Sequence, residues 1–427
     1  MTKRSRYLLI ALGACIFAVL APAIVIYSAG LSIDWKNKKI TRTGIIAFKV
    51  EPKNPNIFLN EQDKTGSGEN IKFLKSQDYE LRFEAESYCY WQKKLLVTPG
   101  EVTWASPYGG KIHLLKNSPP AKIISESVDD FFYYGNTLYS VKENLFSTLD
   151  LGNNSTHTLT LPKDVKNISH ISGSDKFLVY NSSEMTSGIF LVDGKNTTLY
   201  DLSKNFSELP KILYSGTSIF ALENKTLYKV SSDFSTKTEF KSNVLDYNIL
   251  NDSLYYISSN ASTTELIAFS LNENQETLIS TLPQLLTAKV LVTGQKQIFV
   301  EGDNQLYQIG FNQKNLGPIT TKDFEASSPK LIYIGGGEAN FYDFNKNETR
   351  LISRSSQNLQ NPILATNIGY AIWQKGNIIE AVELDTRDHQ NSCELFKSPT
   401  IQKFQTDEEN RRLLILDNNQ IKIIDIQ

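Results

Sequence analysis

The chain has 427 residues, 40% of them hydrophobic and 21% charged, enough to bury the cores of two or three domains. Its 44 Lys and Arg against 46 Asp and Glu leave a net charge of −2, with no basic footprint of the kind that marks nucleic-acid binders. Three cysteines without CxxC spacing and four scattered histidines make neither a disulfide scaffold nor a metal-ligand set.

Lys3, Arg4 and Arg6 make residues 1–6 a short basic tail, after which Tyr7 to Ile33 carry no charge. About 20 apolar residues span a bilayer core as a helix. Residues 7–29 therefore predict one transmembrane anchor, with Leu8, Leu9, Ile10, Ile16, Phe17, Val19, Leu20, Ile24, Val25 and Ile26 in the lipid bilayer. Two processing signals compete with it. Ala21-Pro22-Ala23 is a small-x-small cleavage site, and Leu12-Gly13-Ala14-Cys15 resembles a lipoprotein box with Cys15 as the lipidated residue. The apolar run continues past both, which favours the uncleaved anchor. Lys36, Lys38, Lys39 and Arg42 nearly balance the basic tail. The tail, directly abutting the run, puts the N-terminus in the cytoplasm. The expectation is a single-pass membrane protein with the stalk (30–42) and all that follows extracytoplasmic.

Residues 43–105 alternate as strands do: Ile46, Phe48 and Val50, then Ile57-Phe58-Leu59, Tyr79-Glu80-Leu81-Arg82-Phe83, Lys94-Leu95-Leu96-Val97 and Val102-Thr103-Trp104. Tyr79, Leu81, Phe83, Trp91 and Trp104 are the expected core. The order of a Gly-led strand ending in Pro52, a short strand ending in Asn60, the Tyr79-x-Leu81-x-Phe83 strand and Tyr90-Trp91-Gln92-Lys93 resembles the PEGA domain, a β-sandwich module of cell-envelope proteins. Pro52-Lys53-Asn54-Pro55 replaces the motif that names that family, and Ser87-Tyr88-Cys89 stands where it prefers glycine. The resemblance implies an adhesion or spacer role without catalytic residues. Residues 106–120 read as a linker.

From 121 to 427 helix signals are nearly absent, and eight hairpins recur with first strands starting near 137, 177, 218, 253, 297, 331, 370 and 412. The mean interval of about 39 residues is close to one four-stranded propeller blade. WD40 and kelch motifs are missing. A β-propeller of about eight blades, seven being possible, is the expected fold; a large two-sheet sandwich would not need a fixed period. The last repeat lacks an outer strand, and an open edge exposes backbone hydrogen-bonding groups. Residues 121–125 are expected to supply it by pairing with 420–426, burying Ile123, Ile124, Ile421 and Ile423, with 123 and 423 as candidate facing positions.

No phosphate loop, HExxH or nucleophile elbow is present. His113, His157, His170 and His389 read as surface residues, Asp129-Asp130 and Glu408-Glu409 as solvated turns, and Gly335-Gly336-Gly337 as a flexible turn. No catalytic, cofactor-binding or metal residues are assigned. The chain reads as an all-β, membrane-anchored envelope protein whose propeller binds a protein, a polysaccharide or a wall polymer. A propeller hydrolase or lyase and a purely structural spacer are the alternatives.

Overall fold

Alternation of apolar and polar residues turns one face of each strand toward a core, and the computed structural model divides into two compact units. It describes residues 12–22, 24, 30–34, 39–107, 110–181, 188–194, 198–260, 262–294, 297–309, 314–318, 324–327, 330–407 and 409–427. One compact unit comprises residues 1–117 with 383–393 and 427, the other residues 118–382 with 394–426.

In the first unit, Gln62–Asp63, Asn56–Leu59, Asp78–Glu84 and Trp91–Leu96 form an antiparallel sheet in that order. A second sheet places Gly44–Ala47 between Asn70–Leu74, antiparallel, and Val102–Trp104, parallel. Side chains of both sheets share one core built on Ile46, Phe48, Tyr79, Leu81, Phe83 and Trp91, which makes this a β-sandwich. Trp104 departs from expectation. It lies on an edge strand and is 38% exposed. The stretch read as a linker also differs: Ile112–His113 pairs in parallel with Val50–Glu51, and Ile112 and Leu114 belong to the same core.

Ahead of the sandwich, the stalk forms a hairpin of Leu31–Asp34 and Lys39–Arg42. Residues 12–22 are helical, and Ile16, Phe17, Val19, Leu20 and Ile24 are exposed. Leu8, Leu9, Ile10, Val25 and Ile26 lie outside the described residues. Among the described residues no helix is long and apolar enough to cross a membrane.

The second unit is a series of eight four-stranded antiparallel sheets among the described residues, spanning 130–160, 167–201, 211–241, 244–282, 288–318, 324–354, 359–397 and 401–425. The hairpins read from the sequence are the second and third strands of each. Several are closed by two residues at positive φ, as at Asn224-Lys225, Asp303-Asn304 and Asn418-Asn419. That backbone suits the right-handed twist of the flanking strands, and asparagine and aspartate tolerate it. Consecutive sheets share cores: Val141, Phe146 and Phe177 between the first two, for example, and Phe220, Tyr247 and Tyr256 between the third and fourth. Phe131 and Leu138 of the first sheet pack with Leu414, Leu416 and Ile421 of the last. The series closes on itself as a β-propeller of eight blades.

The eighth blade takes its fourth strand from the other end of the repeat region. Lys122–Ser125 lies antiparallel to Gln420–Asp425, with Lys122 opposite Ile423, Ile123 opposite Lys422 and Ser125 opposite Ile421. Residues 123 and 423 therefore do not face each other. The burial is also redistributed. Ile421 is buried, Ile124 and Ile423 are half-buried, and Ile123 is 46% exposed on the free edge, whereas Ile424 and Ile426 are fully buried. Each buried isoleucine contributes about 1.5–3 kcal/mol. Removing residues 420–427 should therefore abolish the cooperative melt of the whole propeller in calorimetry; a truncated protein melting within a few degrees of the intact one would show that the strand is dispensable.

Candidate functional site

At two places around the ring, polar residues of the first strands tie neighbouring blades together. Lys403 of blade eight donates to the Asp130 carboxylate of blade one at 2.9 Å and to the Phe131 carbonyl at 2.7 Å. The other Asp130 oxygen accepts from the Ile168 N–H of blade two at 3.0 Å. The pattern recurs three blades on. Lys211 donates to Asp246 at 2.7 Å and to the Tyr247 carbonyl at 2.6 Å, and Asp246 accepts from the Val290 N–H of blade five at 2.7 Å. Each lysine–aspartate latch thus ties three consecutive first strands. Asp130 is not the solvated turn residue that the sequence suggested. Asp246 is buried, so Asp246→Ala leaves a buried N–H without a partner and should cost about 1–3 kcal/mol. Lys211→Ala should cost less, because the lysine side chain is 36% exposed and a half-exposed ion pair is worth about 0–1 kcal/mol. Equal losses for the two variants in denaturant titration would contradict the latch.

Beside the first latch is a cavity of about 740 Å³, lined by the first strands of blades seven, eight, one and two. Asp129, Asp130, Asn167, Asn361, Gln402, Lys403, Gln405 and Thr406 supply its polar groups, and Pro362, Ile363 and Phe404 its apolar ones. Blade seven is irregular there: its ladder shifts register between Gln360 and Ile363, and Asn361 has φ +53°. Such bulges re-aim side chains and recur beside binding sites. Nearby, burial first and the Asp130 carboxylate second push the Tyr180 phenol up. The set is rich in carboxamides and poor in nucleophiles, suited to hydrogen-bonding a polar ligand. Among the described residues no group of three or more His, Cys, Asp or Glu side chains converges as metal ligands would.

The first unit holds a denser polar cluster, which sequence reading missed. Residues 383–393 connect the third and fourth strands of blade seven along the chain and cluster with the sandwich. Lys93, fully buried, donates to the carbonyls of Asp385, Arg387 and His389 at 2.9, 2.9 and 2.6 Å and lies 3.1 Å from Glu383. Glu383 also accepts from the Trp91 indole at 2.8 Å and the Asn391 amide at 2.7 Å. The Arg387 guanidinium donates to the carbonyls of Trp104 and Ala105. A disulfide joins Cys89 to Cys393. The spacing of 304 residues hid this pair in the sequence, and nothing local in Trp-Gln-Lys-Lys marks Lys93 for burial. Lys94 N–H, more than the adjoining His389, holds the Asp388 carboxyl below its ordinary 3.8. Its contribution is present above that value and lost as acid takes the pH through the lowered one. Exchange protection of the Lys94 amide should fall there and be unchanged between pH 5 and 8. Lys93→Met strands Glu383 and three carbonyls and should destabilise this unit by about 3–5 kcal/mol; a melt unchanged from wild type would refute the cluster's role.

The histidines are scattered. His170 stacks on Phe132 and Tyr134, His113 meets Gln427, His389 meets Asp388 and His157 is exposed. Glu408 lies outside the described residues, and Glu409 pairs with Arg411. Gly336 and Gly337 form a tight turn with positive φ, where a Cβ on Gly337 would come within 2.7 Å of the Ser355 carbonyl.

No protein-family model matches the chain, and no curated protein matches it in sequence. Solved structures match at low similarity. One described as a eukaryotic initiation factor has a TM-score of 0.47 at 10% identity, covering 73% of this chain and 90% of that one. A streptogramin B lyase has 0.43 at 11%, covering 73% and 97%. The Neurospora crassa Pan2 WD40 domain has 0.41 at 8%, covering 61% and 88%. Likenesses at this level assign no function to the chain.

Proposed function

We propose that this chain is a cell-envelope protein, held in a membrane by residues 7–29 with a PEGA-like sandwich as its spacer, and that its propeller binds a protein, glycan or wall polymer. The observation that carries the binding role is the polar cavity where four first strands meet. Asp130 has both carboxylate oxygens engaged, by Lys403 and by backbone N–H groups. That supports a holding role for Asp130, and the cavity's second carboxylate, Asp129, accepts from the Glu143 N–H at 3.0 Å. Placement outside the cytoplasm is supported by the Cys89–Cys393 disulfide, since such bonds persist in oxidising compartments.

Two measurements test the reading. After alkaline carbonate washing the full chain should stay with the membrane pellet and a protein starting at Thr43 should be released; release of both would refute the anchor. In affinity capture from envelope extracts, the soluble form should retain a partner that Thr406→Arg, which crowds the cavity, loses at unchanged melting temperature. Equal recovery by both proteins would place binding elsewhere.

A further inference from the structure

The cavity beside the Lys403–Asp130 latch carries carboxamides that are fixed at one end and unused at the other. Gln402 accepts from the Asn419 N–H at 3.1 Å, and Gln405 accepts from the Tyr133 N–H at 2.9 Å. Each backbone donor decides which end of its carboxamide is oxygen. The two Nε2 groups have no protein partner among the described residues. Asn167 is held the other way round. Its Nδ2 donates to the Asn181 carbonyl at 2.9 Å and to the Tyr180 carbonyl at 3.5 Å, which leaves its Oδ1 to accept. All three residues line the cavity.

Strand geometry brings the two glutamines together. In a regular strand, residues three apart point to opposite faces. Here the ladder between Ile401–Thr406 and Arg412–Asp417 shifts between Ile401 and Lys403, and Gln402 is the extra residue with none opposite it. A bulge of this kind re-aims a side chain, and Gln402 lines the same cavity as Gln405. The charges are held as firmly. Lys403 donates to Asp130 and to the Phe131 carbonyl, and Asp129 accepts from the Glu143 N–H with one oxygen. Asp129 and Asp130 against Lys403 leave the lining with an excess of negative charge.

We propose that this cavity binds an uncharged, hydroxyl-rich polymer, a neutral polysaccharide; this rests on the reading of the cavity as the binding site. A hydroxyl both donates and accepts, so a row of them matches the fixed donors of Gln402 and Gln405 together with the acceptors of Asn167 and Asp129. A polymer bearing carboxylates or phosphates brings negative charge to a lining that already has an excess of it, and the one ammonium there is spent on Asp130. Protein interfaces centre on apolar and aromatic anchors, whereas Phe404 and Leu416 of this lining are buried. Recognition through amide hydrogen bonds without ion pairs is insensitive to salt.

The test uses the full chain, purified in a detergent without a sugar headgroup and passed over immobilised polysaccharides. Uncharged probes are a glucan, a mannan and a galactan; acidic probes are polygalacturonate and a polyglycerol phosphate. The expected result is retention by at least one uncharged polymer and by neither acidic one, persisting in 0.5 M salt, where the Debye length is roughly 4 Å. Gln405→Glu keeps an oxygen for the Tyr133 N–H and removes the donating end. It should weaken retention roughly three- to tenfold at unchanged melting temperature, and Gln402→Glu should do the same. Retention by the acidic polymers, or retention that salt abolishes, would overturn the uncharged class. Undiminished retention of both variants would overturn the assignment of the glutamines. Retention by no polymer would overturn the polysaccharide, while the capture experiment with Thr406→Arg decides separately whether the cavity binds a partner at all.

Discussion

The pairing of Lys122–Ser125 with Gln420–Asp425 is the constraint on which the larger unit depends. Sheets stacked in a series bury every face except the first and the last, and those two become partners only if the chain's ends are joined. Here the join is made by hydrogen bonds between strands nearly 300 residues apart in sequence. It sets Leu414, Leu416 and Ile421 against Phe131 and Leu138, and brings Lys403 within reach of Asp130. Without it neither the first latch nor the cavity beside it would have its walls. The candidate binding site and the closure of the ring are one physical problem.

The two latches divide the labour around the ring. Lys403–Asp130 and Lys211–Asp246 each neutralise a charge on a first strand and give the aspartate's second oxygen a backbone N–H to accept from. This satisfies polar groups that would be costly to enclose. Blade seven, with its register shift and its Asn361-Pro362 pair, has a different wall. The first strand of blade eight shifts register as well, between Ile401 and Lys403, so two bulged strands adjoin at this wall.

Much of this architecture was legible in the sequence because its signals are local. Hairpins such as Ser218–Glu223 with Thr226–Val230 need only alternation and a two-residue Asn-Lys turn. The first strands were harder to see, since Asp130, Lys211 and Lys403 look like exposed charges until the neighbouring blade is in place. The same holds for Lys93, whose burial depends on carbonyls almost 300 residues away, and for Cys89, whose partner has no local spacing. Ile112 and Leu114 looked like linker because a two-residue parallel pairing has no periodicity to detect. Trp104 was misplaced for the opposite reason: its strand is visible, but an edge position is not.

The most direct test of ring closure is a cross-link at the observed register. Lys122→Cys with Ile423→Cys places two cysteines at directly opposed positions, and a bond closing so long a loop typically contributes about 2–4 kcal/mol. The account predicts that the pair oxidises readily and that the propeller then melts in one transition at a higher temperature than its reduced form. If the pair fails to form under oxidising conditions that leave Cys89–Cys393 intact, or forms without raising the melting temperature, the ring is not closed by these strands.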